Sequence, residues 1–457
     1  MPILCNDPEI PASTVYQTTR KYRSIVSRSI LKNAGGSSFE EWTGGRASTA
    51  LSTNAGADLL PFQRWHHFKE AYSPELIAEA VKLSSVPVRR LADPFGGSGT
   101  SALAAQFLGV EPITIEVNPF LADLIAAKLE NYRVSSLLTA LTRVTRKAKG
   151  SNDHGEELIQ FLPPTFVEPG VKERWLFDRS VAVQISRLRF AIAEEADETI
   201  SRLFRVLLGG LIAEFSNAVV SGKGRRYRKN WQERHVNPES VIPIFANTVA
   251  SATVEISACA SRSTRKATVL QGDCRQLFGN IEPVDLIVCS PPYPNSFDYT
   301  DVYNMELWML GYLSSAQDNL SLRRSTLSSH VQVSRVYAEA PSTSTLDQTL
   351  QSLKVAADLL WDQKIPAMVG AYFADLLDLL KTCARLLPHH GQAWFVVGDS
   401  QYANILVKVA TILSELAPQA GLRVERISPF RSMRVSPQQS GRQMLSEDLV
   451  VFSRDLH

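Results

Sequence analysis

The stretch Val88-Arg89-Arg90-Leu91-Ala92-Asp93-Pro94-Phe95-Gly96-Gly97-Ser98-Gly99-Thr100 passes from a strand pattern through a glycine turn into a helical pattern, Ser101 to Leu108. Glycines let the backbone approach a ligand closely, and the start of a helix presents N–H groups that have no partner within it. One strand further on, Pro112-Ile113-Thr114-Ile115-Glu116 ends in an acid, placed to accept from ribose hydroxyls. On spacing alone this is the first βαβ unit of a nucleotide-binding protein, and Gly97-x-Gly99-x-x-Ala102 fits the dinucleotide fingerprint. A phosphate-cradling NTPase loop is excluded because no Gly-Lys-Ser/Thr follows. The departure is Asp93-Pro94-Phe95 ahead of the glycines.

A second stretch has the same logic. Val284 to Cys289 is short, apolar and rich in β-branched residues, as a buried parallel strand is, and it stops at Pro291 and Pro292. The strand therefore delivers Ser290-Pro291-Pro292-Tyr293 to its carboxyl end, where open α/β sheets bind ligands. Two prolines fix the backbone and leave the carbonyls of Ser290 and Pro291 free to accept, with the Tyr293 ring beside them. Rigid acceptors next to a flat apolar face suit a planar, amine-bearing ring such as a nucleobase turned out of its stack.

These residues carry a resemblance. Ser290-Pro291-Pro292-Tyr293 after a hydrophobic strand resembles the catalytic motif of the amino-group DNA methyltransferases. Asp93 to Thr100 resembles their methionine-binding loop, Glu116 with Asn118-Pro119 their second motif, and Gly272-Asp273-Cys274 their third. The segment Pro61 to Ile77, with His66, Phe68 and the helix start Ser73-Pro74, is similar to the cofactor-side motif ahead of the first strand. Phe297-Asp298-Tyr299 to Trp308, and Pro388 to Asp399, also look similar. The resemblance spans roughly residues 61 to 130 and 266 to 457, with the cofactor loop preceding the catalytic loop.

It implies a Rossmann-like class I methyltransferase sheet, α/β and mostly parallel with an antiparallel closing strand. It implies S-adenosylmethionine as cofactor, held by Asp93, Phe95, Gly97, Gly99, Thr100, Glu116, Asn118, Asp273, His66 and Phe68. Methyl transfer to an exocyclic amine would fall to Ser290, Pro291, Pro292 and Tyr293, with double-stranded DNA as substrate. Serine at 290 leans toward cytosine N4 in the family, ahead of adenine N6 and then of an RNA amine. A catalytically silent, cofactor-binding DNA-binding subunit and an NAD-dependent enzyme are the competing classes. Cys289 lacks the Pro-Cys order of the enzymes that methylate cytosine carbon 5 and reads as a core cysteine. The recognition sequence is not readable, nor is whether a cognate restriction endonuclease is a partner.

The remaining chain sets the organisation. Residues 1–60 read as an extension: a helix carrying Arg20, Lys21, Arg23 and Arg28, then a Gly/Ser/Thr-rich linker from Asn33 to Asp58. After a helix from Asn118 to Glu130 the alternation of strand and helix stops. Residues 131–265 read as a helical insertion, with patterns at Leu137–Lys147, Ser180–Ala193, Ile200–Val219 and Val241–Ser261. Within it, Lys223, Arg225, Arg226, Arg228 and Lys229 make five of seven consecutive residues cationic, with Tyr227 and Trp231 interleaved. Such a run can neutralise phosphates while its aromatics stack on a base, and it is the candidate nucleic-acid grip. Strands are expected at Ala267–Leu270 and Gly391–Ser400, helices at Asp298–Leu313 and Thr349–Leu387, and an antiparallel closing pair at Leu422–Ser428 and Asp448–Ser453. Arg431, Arg434 and Arg442 between that pair form a second basic candidate. The Ser/Thr-rich residues 315–345 read either as a target-reading loop or as a connector.

Composition narrows the class. The 457 residues are ample for a large core, and a net charge of +2 leaves nucleic-acid binding to local basic patches. Five scattered cysteines without a CxxC pair argue for a reducing compartment and against zinc, so the expectation is a cytoplasmic protein with no metal site. No secretory signal is evident, and Val241 to Ala260, with Asn247 and Glu255 inside it, reads as a packed helix rather than a membrane span.

Overall fold

The computed structural model describes residues 36–46, 51, 53–54, 56–68, 70–150, 155–221, 224–263, 265–295, 298–434 and 444–454. Its strands are β1 (Arg90–Asp93), β2 (Glu111–Glu116), β3 (Ala218–Ser221), β4 (Gly224–Tyr227), β5 (Thr268–Gln271), β6 (Leu286–Cys289), β7 (Gln392–Gly398), β8 (Ser400–Tyr402), β9 (Ile405–Val407), β10 (Leu422–Arg434) and β11 (Met444–Arg454). Seven of them form one sheet in the order β10-β11-β7-β6-β1-β2-β5. From β7 to β5 the pairs are parallel, and β11 runs antiparallel to both β7 and β10. This is the Rossmann-like class I methyltransferase sheet, with its reversal of strand order between β1 and β6.

The two faces of the sheet follow from alternation along the strands. Leu91, Leu286, Val288, Trp394 and Val396 join one apolar core, whereas Ala92, Ile287, Cys289, Phe395 and Val397 join the other. Burying each large apolar side chain contributes about 1.5–3 kcal/mol, and β6 is buried on both faces. Helices Pro74–Leu83, Thr100–Phe107 and Pro119–Leu129 contribute to the first core, and Ile365–Leu386 with Val409–Leu416 to the second.

The insertion contributes to the first core too. Helices Val134–Gly150, Arg179–Ala193, Glu198–Phe215 and Val241–Ala258 supply buried Leu137, Ile185, Phe204 and Phe245 to it. Helix Glu198–Phe215 crosses Pro119–Leu129 so closely that a Cβ on Gly209 would lie 2.3 Å from the Phe120 ring, and one on Gly210 would lie 2.1 Å from the Trp65 carbonyl. Glu255 of Val241–Ala258 reaches the other way, accepting from the Phe62 amide at 2.7 Å and from Trp65 Nε1 at 3.1 Å, with Arg64 2.7 Å away. That helix is long and apolar enough to cross a membrane, yet Val241, Phe245, Val249 and Ile256 are packed inside.

Several elements differ from their sequence readings. Phe39–Thr43 is a helix with a Ser38/Glu41 capping box, and Trp42 stacks on Phe107 at 4.6 Å, inside the stretch read as a linker. The basic helix expected around Arg20 lies outside the described residues. The pattern Ile200–Val219 ends at Phe215 because Ala218–Tyr227 is a β-hairpin. Asp298–Leu313 is two short helices, Tyr299–Val302 and Asn304–Met309, and Thr349–Leu387 breaks between Ser344–Val355 and Ile365–Leu386, where Pro366 opens the second helix. Residues 315–345 hold a capped helix, Ala316–Arg324, followed by a loop that Arg335 ties to the carbonyls of Arg323, Thr326 and Leu327.

Candidate active site

A cavity of about 390 Å³ opens at the carboxyl ends of β1, β2 and β6, at the point where the strand order reverses. Both expected halves border it: Asp93, Phe95, Gly97, Thr100, Glu116 and Asn118 on one side, Ser290 to Tyr293 on the other.

The cofactor half is built around two buried acids. Gly96 sits so close to β2 that a Cβ would lie 2.5 Å from Thr114 Oγ1, and Gly97 turns at φ +53° so that its amide donates to Glu116 Oε2 at 2.7 Å. Glu116 Oε1 accepts from the Asn118 amide at 2.8 Å, and Asn118 in turn caps helix Pro119–Leu129. Asp93 accepts from the Phe95 amide at 2.9 Å and from the hydroxyls of Tyr72, at 3.3 Å, and Ser101. Burial pushes the Asp93 carboxyl up to about 6 and the Glu116 carboxyl up to about 7. Two desolvated carboxylates facing one cavity suit a ligand that brings positive charge and hydroxyl donors. An ammonium- and sulfonium-bearing nucleoside fits that chemistry.

Four expected cofactor residues are placed differently from one another. Phe68 borders the cavity and stacks on Tyr303, with ring centroids 5.1 Å apart. His66 lies behind it, buried between Phe120 and Tyr303 with both ring nitrogens unpartnered, and burial holds it neutral by pushing its pKa down to about 3. Gly99, at φ +81°, packs on Ile125 rather than bordering the cavity. Asp273 is also turned away: its carboxylate caps the Arg275 amide and pairs with the Arg275 guanidinium at 2.7 Å, while Gly272 and Cys274 line the wall there.

In the other half, Tyr402 donates to the Pro294 carbonyl at 2.8 Å and anchors the end of the proline turn. The Tyr293 hydroxyl donates to Glu447 Oε1 at 2.7 Å, and Ser290 Oγ lies 3.4 Å from the Tyr293 oxygen. Cys289 is fully buried in the sheet; burial first, and Asp93 second, push its thiol up, which disqualifies it as a nucleophile. Among the described residues no group of His, Cys, Asp and Glu could hold a metal ion.

The basic candidates divide by what they touch. Arg225 lies over the Phe166 ring and 3.6 Å from Asp301, beside the helix that follows the proline turn. Arg228 donates to the Ser216 and Ala213 carbonyls at 3.1 and 2.8 Å, closing the end of helix Glu198–Phe215. Only Arg226 and Lys229 of the described run are exposed; Lys223 lies outside the described residues. Trp231 is buried against Trp175 and Tyr227, so its ring packs inside rather than facing solvent. Arg431 is paired with Glu447, and the Arg434 side chain and Arg442 lie outside the described residues.

Residues that sequence reasoning missed include Tyr72, which borders the cavity; Lys128, which is buried behind the glycine turn; and Glu447. Glu447 carried a signal: it breaks the inward apolar alternation Leu445, Leu449, Val451 of β11. Thr326, Ser329 and His330 also border the cavity, and nothing local in their Ser/Thr-rich stretch distinguished them.

No protein-family model matches the chain. Over 399 residues it is 25% identical to the type II methyltransferase M.AvaI of Nostoc sp., covering 80% of each chain, and the same figures hold for M.AvaI of Anabaena variabilis. It is 21% identical over 461 residues to the type II methyltransferase M.BsoBI of Geobacillus stearothermophilus, covering 85% of each. The chain is similar to type II methyltransferases. The likeness to these methyltransferases extends well past the motif segments, since it spans four-fifths of the chain. Among solved structures, the rRNA methyltransferase aviRa of Streptomyces viridochromogenes aligns at 10% identity and a TM-score of 0.26, covering 85% of this chain and 89% of its own. At that score the likeness adds nothing to the strand order.

Proposed function

We propose that this protein is a DNA methyltransferase that transfers a methyl group from S-adenosylmethionine to the exocyclic N4 amine of a cytosine turned out of the duplex. The observation that carries the reading is one cavity bordered both by the acids Asp93 and Glu116 and by Ser290-Pro291-Pro292-Tyr293. Similarity to type II methyltransferases over most of the chain supports it.

When bound, the cofactor supplies an electrophilic methyl group. Asp93 would hold its ammonium group and Glu116 its ribose hydroxyls, with Phe95 and Phe68 as apolar walls. The chain's own task is at the amine. An exocyclic amine is a poor nucleophile because its lone pair is delocalised into the ring. Acceptors at Ser290 and at the Pro291 carbonyl take hydrogen bonds from both amine protons, localise that lone pair and favour the positive charge that develops on nitrogen. The Tyr293 ring stacks on the extruded base and fixes its plane. Serine at 290, by resemblance, favours cytosine over adenine.

The test is to incubate the protein with methyl-labelled S-adenosylmethionine and mixed DNA and RNA, digest to nucleosides and identify the labelled one. Label in N4-methylcytosine is expected; label in N6-methyladenine moves the target, and label in RNA alone overturns the substrate. Ser290→Ala and Tyr293→Ala are expected to lose transfer while still binding the cofactor, and wild-type turnover in either refutes the roles of Ser290 and Tyr293 at the amine. Binding of NAD without binding of S-adenosylmethionine would defeat the reading altogether.

A further inference from the structure

Glu447 stands in β11 opposite Gly398, the last residue of β7, so its side chain enters the cavity from the antiparallel end of the sheet. Its side chain is only 3% exposed, against 40% for Arg431, its cross-strand partner on β10. Arg431 Nη2 donates to Glu447 Oε1 at 3.0 Å, and Arg431 Nε lies 2.6 Å from Oε2. The same Oε1 accepts from the Tyr293 hydroxyl at 2.7 Å. A chain of contacts thus runs from the surface guanidinium through a buried carboxylate to the Tyr293 phenol, with Ser290 Oγ at its far end.

A carboxylate this buried costs several kcal/mol unless it is paired and hydrogen-bonded. Arg431 alone would satisfy that need from the solvent side. The bond to Tyr293 does something else. A tyrosine on a turn can swing its ring about χ1 and χ2, and a hydrogen bond at the tip of the ring removes that freedom. The tether also runs from β11, which is remote in sequence and rigid in the sheet, so it holds the ring relative to the sheet rather than to the turn.

Resting on the methyltransferase reading, we propose that Glu447 is a positioning residue for methyl transfer: it pins the ring of Tyr293 at the plane on which the target base stacks, and Arg431 keeps Glu447 in place. The competing role is purely structural, with the Arg431–Glu447 pair merely stapling β10 to β11. Tyr293→Phe separates the two, because it removes the hydroxyl while leaving the staple and the ring intact.

The experiment uses the full chain, methyl-labelled S-adenosylmethionine and unmethylated mixed-sequence DNA, and reads the single-turnover transfer rate, cofactor affinity by calorimetry and melting temperature. Tyr293→Phe and Glu447→Ala should each slow transfer by about tenfold or more, since small misplacements in a site cost up to about a hundredfold. The double variant should be no slower than the slower single one, and cofactor affinity should be unchanged. Glu447→Gln, whose amide oxygen still accepts from the phenol, should recover most of the rate despite losing the ion pair. A silent Tyr293→Phe, additive losses, or a Glu447→Ala effect confined to melting temperature would overturn the proposal. If Glu447→Ala does not fold, Tyr293→Phe and Glu447→Gln carry the comparison alone. A wild-type protein that labels no nucleic acid defeats the methyltransferase reading and the proposal with it; an active wild type with a silent Tyr293→Phe defeats the proposal alone.

Discussion

Lys128 Nζ donates to the Ser98 carbonyl at 2.7 Å and to Gln63 Oε1 at 3.1 Å from a side chain with no exposure to solvent. A lysine from helix Pro119–Leu129 thereby holds the glycine turn from behind, and burial pushes its pKa down to about 7. Gln63 belongs to the turn that Glu255 of the insertion fixes, so Lys128 links the glycine turn to the segment ahead of β1, which the insertion holds in turn.

Lys128→Met keeps the length of the side chain and removes its donors, leaving the Ser98 carbonyl unpaired at a cost of about 1–3 kcal/mol. The expected result is a turn held less firmly and a loss of S-adenosylmethionine affinity of about tenfold, measured by calorimetry. Unchanged affinity would show that the glycine turn keeps its shape without the lysine.

Cofactor affinity should depend on pH through Asp93 and Glu116. Their folded pKa values, about 6 and about 7, lie above the ordinary 3.8 and 4.5. In the free protein the stability attached to these groups is therefore present at low pH and is lost as pH rises through 6 and 7. A cationic, hydroxyl-bearing ligand favours the ionised forms. The dissociation constant should then fall as pH rises from about 5 to 8 and level off above that, with the upper step missing in Glu116→Gln. Calorimetric titrations across that range check it.

Arg226 of β4 and Lys229 just after it, the exposed cations among the described residues of the run, should contribute to DNA affinity. Arg226→Gln with Lys229→Gln should weaken binding and lower the slope of log K against log salt by about two, near 0.9 for each phosphate that is no longer neutralised. Arg228→Ala should instead lower the melting temperature, because it removes the guanidinium bonds to the Ser216 and Ala213 carbonyls and leaves Ala213 with the Ser216 hydroxyl as donor, and it should leave the salt slope alone. Fluorescence anisotropy against salt, with thermal melts, separates the two.

Trp231→Ala tests the same region from inside. Trp231 meets Trp175 edge-on at 5.1 Å and Tyr227 at 4.9 Å, so truncating it should cost about 3–5 kcal/mol of stability, the usual range for a buried aromatic. Denaturant unfolding measures this. A normal midpoint together with lost DNA binding would restore a stacking role for the ring.

What could be read in the sequence was whatever is decided locally. The β1–glycine turn–helix unit and the β6–proline turn announce themselves because apolar runs, glycines and prolines act over a few residues. The hairpin of β3 and β4 was missed because Arg225 and Arg226 hide any strand alternation, and its packing comes from Phe166, far away in the chain, and from Trp231 just beyond it. Residues 315–345 read as a target-reading loop or a connector because Arg275, Arg335 and Asp375 order them across long sequence separations: Asp375 accepts from the Ser328 amide at 2.8 Å, and Arg275 bridges Asp273 and Asp375. Asp273 shows the same limit. A motif supplies its position, while a neighbouring arginine decides which way its carboxylate faces.

The close crossing at Gly209 and Gly210, together with Glu255 gripping Phe62 and Trp65, bears on how a protein built this way can acquire a new target. Cutting out the insertion would expose Phe120 and the turn that carries Gln63, so a replacement for that whole region would have to reproduce these contacts. The hairpin of β3 and β4 is different: its exposed Arg226 could be rewritten without disturbing either glycine. If the proposed DNA contact at Arg226 holds, recognition would drift by substitutions at exposed positions of this kind rather than by trading modules.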